Sequence, residues 1–154
     1  MKLAVASVRE GSSTAGLSPR DNLRTEVFLA GCKLGLRRHP CPDCFNSDLW
    51  DSQWFPQVEV GDLVNDIKKI GNPFVTIVGG EPLDQYEGLV GLLDKLWTED
   101  VHTVVITHYT MEEIEAAEKP LVQWTLHFLK FFQKNTYKIL SGDLDLNSIS
   151  CGAK

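Results

Sequence analysis

The chain has 154 residues, of which 43% are hydrophobic and 23% are charged, and its formal net charge is −6. These proportions are typical of a soluble globular protein, so we expect residues 1–154 to form a single domain. The acidic balance argues against a protein that binds nucleic acid through an excess of Lys and Arg. No apolar run approaches the roughly 20 residues of a transmembrane helix, and no signal peptide is evident. We therefore predict a cytoplasmic protein that binds neither nucleic acid nor membranes.

Strand-like and helix-like patterns alternate along the chain. Residues 9–22 are rich in Gly and Ser and predict a long loop, and residues 32–55 show no clear periodicity. Asp84 is the predicted N-cap of the second helix, and Thr110 with Glu113 predicts a capping box. This alternation favours an α/β fold, either a compact incomplete (β/α) barrel or an open, mainly parallel sheet. The predicted strands are residues 3–8, 25–30, 74–78, 103–107, 127–131 and 137–140, and the longer predicted helices are residues 60–70 and 86–97.

Cysteines are concentrated in one segment. Cys32, Cys41 and Cys44 lie close together, whereas Cys151 is near the end of the sequence and is expected to be a free thiol. Disulfides are rare in the cytoplasm, so the cluster indicates metal or redox chemistry. The spacing leaves three possibilities open: a zinc site completed by His39, a dithiol redox pair, or a [4Fe–4S] cluster with one iron left free for a ligand.

Two further motifs follow predicted strands. The letters G-G-E-P at residues 79–82 end the strand 74–78, where glycines allow the backbone to approach a ligand at the carboxyl edge of a parallel sheet. A plain strand-to-helix turn would use Gly-Gly equally well. His108 and Tyr109 end the next strand at the same predicted edge, where each could contact a ligand or pack structurally.

These blocks, in this order and at this separation, resemble the anaerobic ribonucleotide reductase activating proteins, which are small radical S-adenosylmethionine enzymes. Residues 27–32 (VFLAGC), 41–46 (CPDCFN) and 49–51 (LWD) resemble the cluster loop, residues 77–83 (IVGGEPL) the G-G-E-P motif, and residues 107–114 (THYTMEEI) the T-G-Y-T-x-E-E motif. The resemblance covers about residues 25–120. The family's first cysteine interval is shorter, so residues 33–40 are interpreted as an enlarged loop, which costs little closure entropy. His108 stands where the family has glycine.

The resemblance implies a radical SAM type of fold that holds a [4Fe–4S] cluster and S-adenosylmethionine. In such an enzyme an electron from the reduced cluster cleaves S-adenosylmethionine to methionine and a 5′-deoxyadenosyl radical. The cofactor carries the chemistry, so no side chain is predicted to be catalytic. The implied cluster ligands are Cys32, Cys41 and Cys44, and the implied contacts of S-adenosylmethionine are Phe45, Gly79, Gly80, Glu81 and Tyr109.

The resemblance also implies partners. The radical is expected to remove hydrogen from a glycine of a large glycyl-radical subunit, an anaerobic ribonucleoside-triphosphate reductase, and a flavodoxin-like or other low-potential donor would supply the electron. A chain of this size leaves little to enclose a small molecule, which favours a protein substrate. The alternatives are a radical SAM enzyme acting on a small molecule and a zinc-binding α/β interaction module. Trp50 and Trp54 are expected to shield the cluster, and a side chain at Gly80 to block S-adenosylmethionine but spare the cluster.

Overall fold

The computed structural model describes residues 1–11, 23–37, 44 and 46–109, together with the backbone of residues 130–134 and 137–141. Within these residues, no helix has both the length and the apolar character that a bilayer span requires. The strands are β1 (Lys2–Gly11), β2 (Arg24–Leu29), β3 (Gln57–Glu59), β4 (Phe74–Gly79), β5 (His102–Thr107), β6 (Lys130–Lys134) and β7 (Tyr137–Ser141). The helices are α1 (Lys33–Leu36), α2 (Val60–Ile70) and α3 (Tyr86–Thr98), with short 3-10 turns at Ser47–Leu49, Ser52–Trp54 and Pro82–Gln85.

The described strands form one mixed sheet in the order β3-β1-β2-β4-β5-β7-β6. Strands β2, β4 and β5 are parallel and occupy the centre. The flanking strands β1 and β7 run antiparallel to β2 and β5, and the outer strands β3 and β6 run antiparallel to β1 and β7. The structure thus has the expected α/β character, but the expected parallel pairing holds only at the centre. A hydrophobic pattern identifies a buried strand without encoding its direction.

Helices α2 and α3 pack on one face of the sheet and form the main core with it. Helix α2 has the bounds predicted from its apolar spacing, and it ends at Gly71, whose φ of 82° is the left-handed conformation that glycine adopts most easily. This packing fixes the position of the central strands and of their carboxyl ends. The core side chains that are completely buried include Val27, Leu29, Leu63, Ile67, Ile77, Leu89, Leu92, Leu93, Leu96 and Val105.

The opposite face of the sheet is more polar. Arg9 and Glu26 are paired across β1 and β2, and the Arg9 Nε atom lies 3.4 Å from Glu26 Oε1. The Arg9 guanidinium also lies 4.7 Å from the centre of the Phe28 ring, which is a cation–π geometry. The strand alternation therefore separates an apolar helix-facing layer from a second face that carries charge.

Several predicted boundaries differ from the observed ones. Strand β1 continues to Gly11, inside the predicted loop, because Arg24 of β2 supplies its cross-strand partner there. The unpatterned segment 32–55 contains α1 and two 3-10 turns. The predicted strand 127–131 overlaps β6 at residues 130–131, and the capping box at Thr110 and Glu113 lies outside the described residues.

Candidate functional site

The carboxyl ends of β2, β4 and β5 meet at one edge of the sheet because these strands are parallel. Leu29 at the end of β2 pairs with Gly79 at the end of β4. Residues 30–32, residues 80–81 and residues 108–109 therefore leave the sheet side by side. The beginning of the cysteine segment, the glycine motif and Tyr109 converge there, as the sequence predicts.

Cys32 is positioned by backbone hydrogen bonds to a segment that follows the cysteines in sequence. The Gly31 N–H donates to the Leu49 carbonyl at 2.7 Å, and the Cys32 N–H donates to the Trp50 carbonyl at 2.9 Å. Helix α1 begins directly after Cys32, and a Cβ at Gly35 in this helix would overlap the Trp50 ring. The chain itself therefore holds Cys32 in place through contacts with residues 49–50.

The surroundings of Cys32 fit a metal or iron–sulfur ligand. The residue is a partly buried free thiol at the N-terminus of α1. Burial raises the pKa of this thiol most strongly, hydrogen bonds from the Gly35 and Leu34 backbone lower it, and the charges of Asp84 and Glu81 raise it further. Metal binding requires the thiolate, and hydrogen bonds to sulfur are among the contacts that tune iron–sulfur clusters. A bound metal would supply the positive charge that offsets burial of a thiolate.

The structure describes one of the other two predicted cysteine ligands. Cys44 is a second partly buried free thiol, whereas Cys41 and Phe45 lie outside the described residues. In the described part of the chain, no group of three His, Cys, Asp or Glu side chains could hold a metal ion. The three-cysteine ligand set and the contact of Phe45 with S-adenosylmethionine therefore stay predictions.

Asn46 connects the end of the cysteine segment to the glycine motif, because its Nδ2 donates to the Gly79 carbonyl at 3.1 Å. The glycine motif also packs directly on the end of β2. The N–H groups of Gly80 and Glu81 donate to the carbonyls of Leu29 and Gly31 at 2.8 and 2.7 Å. Both the beginning and the end of the cysteine segment therefore contact the same turn.

Gly79 and Gly80 are required by this packing. Gly79 has a φ of 121°, and a Cβ there would overlap the Leu29 backbone. A Cβ at Gly80 would overlap the carbonyl of Gly31, the residue before Cys32. A side chain at residue 80 would thus meet the residue before Cys32, so we expect it to disturb the cysteine segment as well. The expectation that it spares the cluster stays a prediction, which the iron content of a residue-80 variant tests. The sequence predicts a close approach at Gly80 but does not show that the approaching group is the backbone of Gly31 and not a ligand.

Glu81 links the glycine turn to the end of β5. Its Oε1 atom accepts hydrogen bonds from Thr107 Oγ1 at 2.5 Å and from the His108 N–H at 2.9 Å, and its Oε2 atom accepts one from the Leu83 N–H at 2.6 Å. The residue is completely buried, and burial raises the pKa of its carboxyl group to about 8, against these three hydrogen bonds. The carboxyl group orients the turn, and its predicted contact with S-adenosylmethionine stays a prediction.

Asp84 has a different role from the predicted helix cap. The 3-10 turn at Pro82–Gln85 delays the start of α3 to Tyr86, and no side chain caps α3. Instead, Asp84 Oδ2 accepts a hydrogen bond from the Lys33 N–H at 2.8 Å, and Oδ1 accepts one from the Tyr109 hydroxyl at 2.7 Å. Burial and the nearby Asp84 carboxylate raise the pKa of Tyr109, so the hydroxyl remains a donor at neutral pH.

Gln85 is a second contact that the sequence analysis overlooked. Its Oε1 atom accepts from the Ala4 N–H at 2.7 Å, and its Nε2 atom donates to the Ala30 carbonyl at 2.9 Å. It therefore joins β1 to the residue that follows β2. The sequence offered one signal for these two contacts, which is that Asp84 and Gln85 closely follow a glycine motif at a predicted sheet edge.

The remaining candidates are packed differently from one another. The His108 ring lies 4.2 Å from the Tyr109 ring, and its Nε2 atom lies 3.7 Å from Glu81 Oε1. Trp50 contacts the Gly35 position and accepts the hydrogen bond from the Cys32 N–H, whereas Trp54 is 81% exposed. The shielding of a cluster by either tryptophan stays a prediction.

Replacing Gly80 by Ala should reduce the iron content of the protein after anaerobic reconstitution. The added Cβ overlaps the Gly31 carbonyl and must displace either the turn or the residue that precedes Cys32. Gly61→Ala is the matched control, because its Cβ would lie in ordinary van der Waals contact with Lys95 Nζ, at 3.7 Å. Iron per chain should fall in Gly80→Ala alone. Wild-type iron content in a folded Gly80→Ala protein would contradict this explanation.

The stability of the cluster-free protein should decrease as the pH rises from about 4.5 to about 8. Glu81 keeps its proton over this range in the folded state but loses it in the unfolded state, so its contribution is fully present below pH 4.5 and lost through pH 8. One such group changes the unfolding free energy by at most about 1.4 kcal/mol per pH unit. The unfolding free energy, measured by urea denaturation from pH 5 to 9, should fall less steeply with pH in Glu81→Gln than in Glu87→Gln, an exposed control. Equal slopes would contradict the assignment.

Comparisons with known proteins agree with the chemistry of this edge. Residues 21–136 match the family described as the 4Fe-4S single cluster domain, a range that contains the whole cysteine segment, the glycine turn and Tyr109. The pyruvate formate-lyase-activating enzyme of Clostridium pasteurianum is 32% identical over 98 residues, which are 60% of this chain and 39% of that enzyme. The chain thus spans less than half the length of this relative. The family match favours an iron–sulfur cluster over the zinc and dithiol alternatives, and the chain belongs to the 4Fe-4S single cluster domain family.

Proposed function

We propose that this protein is a radical S-adenosylmethionine activase that forms a glycyl radical on an anaerobic ribonucleoside-triphosphate reductase. The observation that carries the proposal is the convergence of Cys32, the glycine turn and Tyr109 at one sheet edge. They are joined by the hydrogen bonds from Glu81 N–H to the Gly31 carbonyl and from the Tyr109 hydroxyl to Asp84. In this proposal Cys32, Cys41 and Cys44 hold the cluster, and the sheet is the core of a radical SAM fold.

When bound, the cluster would supply an electron for the reductive cleavage of S-adenosylmethionine. The residues of the chain position and shelter this chemistry. Residues 49–50 fix the backbone of Cys32, and Asn46 attaches the far end of the cysteine segment to the Gly79 carbonyl. Glu81, with its raised pKa, adds little negative charge to the edge at neutral pH. The Tyr109 ring is fixed by its hydroxyl, so it offers a rigid surface beside the turn.

The proposed substrate is a glycine in a partner protein. The relative named above activates, by its name, pyruvate formate-lyase, and this supports an activase acting on a protein. The choice of an anaerobic reductase rests on the motifs at residues 27–51, 77–83 and 107–114. A flavodoxin-like or other low-potential protein is the proposed electron donor. A pyruvate formate-lyase type of enzyme is the second candidate substrate, because of the match to its activating enzyme.

Iron binding should require Cys32, Cys41 and Cys44, but not Cys151. Removal of one thiolate leaves an iron of the cluster without its protein ligand, and the three cysteines lie in one segment, remote in sequence from Cys151. Iron and sulfide per chain should be measured after anaerobic reconstitution of each Cys→Ala variant, with Cys151→Ala as the matched control. A Cys32→Ala protein with full iron content would refute the ligand set.

Mixing the reduced protein, S-adenosylmethionine and the reductase should produce a glycine-centred doublet in the electron paramagnetic resonance spectrum. Hydrogen abstraction needs contact between the radical and the glycine, so the signal should disappear when the target glycine of the reductase is replaced by Ala. A parallel reaction with pyruvate formate-lyase tests the second candidate. Turnover of a free small molecule, with no radical on either protein, would reject a glycyl-radical activase.

A further inference from the structure

The side chain of Asp84 caps neither the 3-10 turn that contains it nor helix α3. The 3-10 turn that contains it is capped by Glu81, whose side chain accepts from the Leu83 N–H, and α3 begins only at Tyr86. The Asp84 carboxylate is directed across the sheet edge instead. It accepts from the Lys33 N–H with one oxygen and from the Tyr109 hydroxyl with the other.

The first of these hydrogen bonds places the carboxylate beside the residue that follows Cys32, the proposed cluster ligand. Lys33 directly follows Cys32 and is the first residue of α1, so Asp84 lies at the N-terminal end of the turn that presents the Cys32 sulfur. Each oxygen of the Asp84 carboxyl group accepts one hydrogen bond. Glu81, the other acid of this turn, is largely protonated at neutral pH because burial raises its pKa to about 8.

A fixed negative charge near an iron–sulfur cluster disfavours its reduction, because the reduced cluster carries one more negative charge. The net charge and the hydrogen bonds around a cluster are among the factors that set its reduction potential. The interaction is long-ranged when the charge is partly buried, since solvent screens it less. An acid held beside a cluster ligand therefore has a direct electrostatic effect that an acid on a remote helix lacks.

We propose that Asp84 is a positioning residue whose carboxylate, held between the Lys33 N–H and the Tyr109 hydroxyl, lowers the reduction potential of the cluster bound by Cys32. This inference rests on the proposed function, which places the cluster on Cys32. A lower reduction potential makes the reduced cluster a stronger reductant toward S-adenosylmethionine. The same carboxylate couples the cysteine segment to Tyr109, because a single side chain bonds to both.

The substitution Asp84→Asn isolates the charge from the hydrogen bonds. An Asn side chain can accept from the Lys33 N–H with its oxygen and donate to the Tyr109 hydroxyl oxygen with its amide, since a tyrosine hydroxyl both donates and accepts. Asp66→Asn is the matched control for net charge. Asp66 is an exposed acid on α2 that pairs only loosely with Lys69, at 3.4 Å. Tyr109→Phe removes the hydroxyl but retains the carboxylate.

The experiment is a redox titration of the reconstituted holoproteins with dithionite, without S-adenosylmethionine, followed by the electron paramagnetic resonance signal of the reduced cluster. Asp84→Asn should shift the midpoint potential to a more positive value than in wild type, with iron content unchanged. Asp66→Asn should shift it much less. Tyr109→Phe should shift it to a more negative value, because the charge of Asp84 then lacks one hydrogen-bond donor.

A shift in Asp84→Asn no larger than in Asp66→Asn, or a shift to a more negative potential, would overturn the inference. If Asp84→Asn assembles no cluster, Tyr109→Phe decides: a negative shift supports the role of the charge, and a positive or absent shift overturns it. Failure of the proposed function is distinguishable, because wild-type protein would then bind no iron–sulfur cluster or would retain it in the Cys32→Ala variant.

Discussion

The close approach of the glycine turn to the end of β2 is the interaction on which the rest of the site depends. The N–H groups of Gly80 and Glu81 donate to the carbonyls of Leu29 and Gly31. This approach is possible because residues 79 and 80 are both glycines and carry no side chain. These bonds connect the segment that leaves β4 to the residue before Cys32. Helices α2 and α3 pack on the strands and fix their positions. The contact at the edge therefore holds the cysteine segment and the glycine turn in a fixed arrangement.

The two acids that follow this contact have separate structural roles. Glu81 is buried and connects the turn to Thr107 and His108 at the end of β5, and its raised pKa keeps it largely uncharged at neutral pH. Asp84, three residues later, bonds to Lys33 and Tyr109. One acid thus orients the turn at little electrostatic cost, whereas the other can place negative charge beside the cysteine segment. Their different surroundings, and not their chemistry, separate these roles.

The fold supports the site without specifying a substrate. An α/β sheet with helices on one face can carry many activities, and the activity is decided by the groups at the edge. Here the edge presents the Cys32 thiol and a glycine turn. The face of the sheet away from the helices carries the Arg9–Glu26 pair beside Phe28. The family match assigns the iron–sulfur domain.

The sequence by itself determined the features that depend on neighbouring residues. The apolar spacing of residues 60–70 predicted α2 with its observed bounds, the apolar runs predicted the central strands β4 and β5, and the strand-end motifs predicted which segments meet at one edge. These signals are local, because the pattern of apolar residues within a helix or a buried strand is enough to identify it.

Only the tertiary structure decided which groups touch across the chain. The local sequence predicts that Asp84 caps a helix, yet its side chain is hydrogen-bonded to Lys33, which is 51 positions away. Glu81 is hydrogen-bonded to Thr107, which is 26 positions away. The sequence predicts that Gly80 makes room for a ligand, yet an added Cβ there would meet the Gly31 carbonyl. The antiparallel direction of β1 and β7 beside the parallel centre was likewise set by pairing. Such contacts exist only after the sheet has aligned its strands, so no local pattern of residues encodes them.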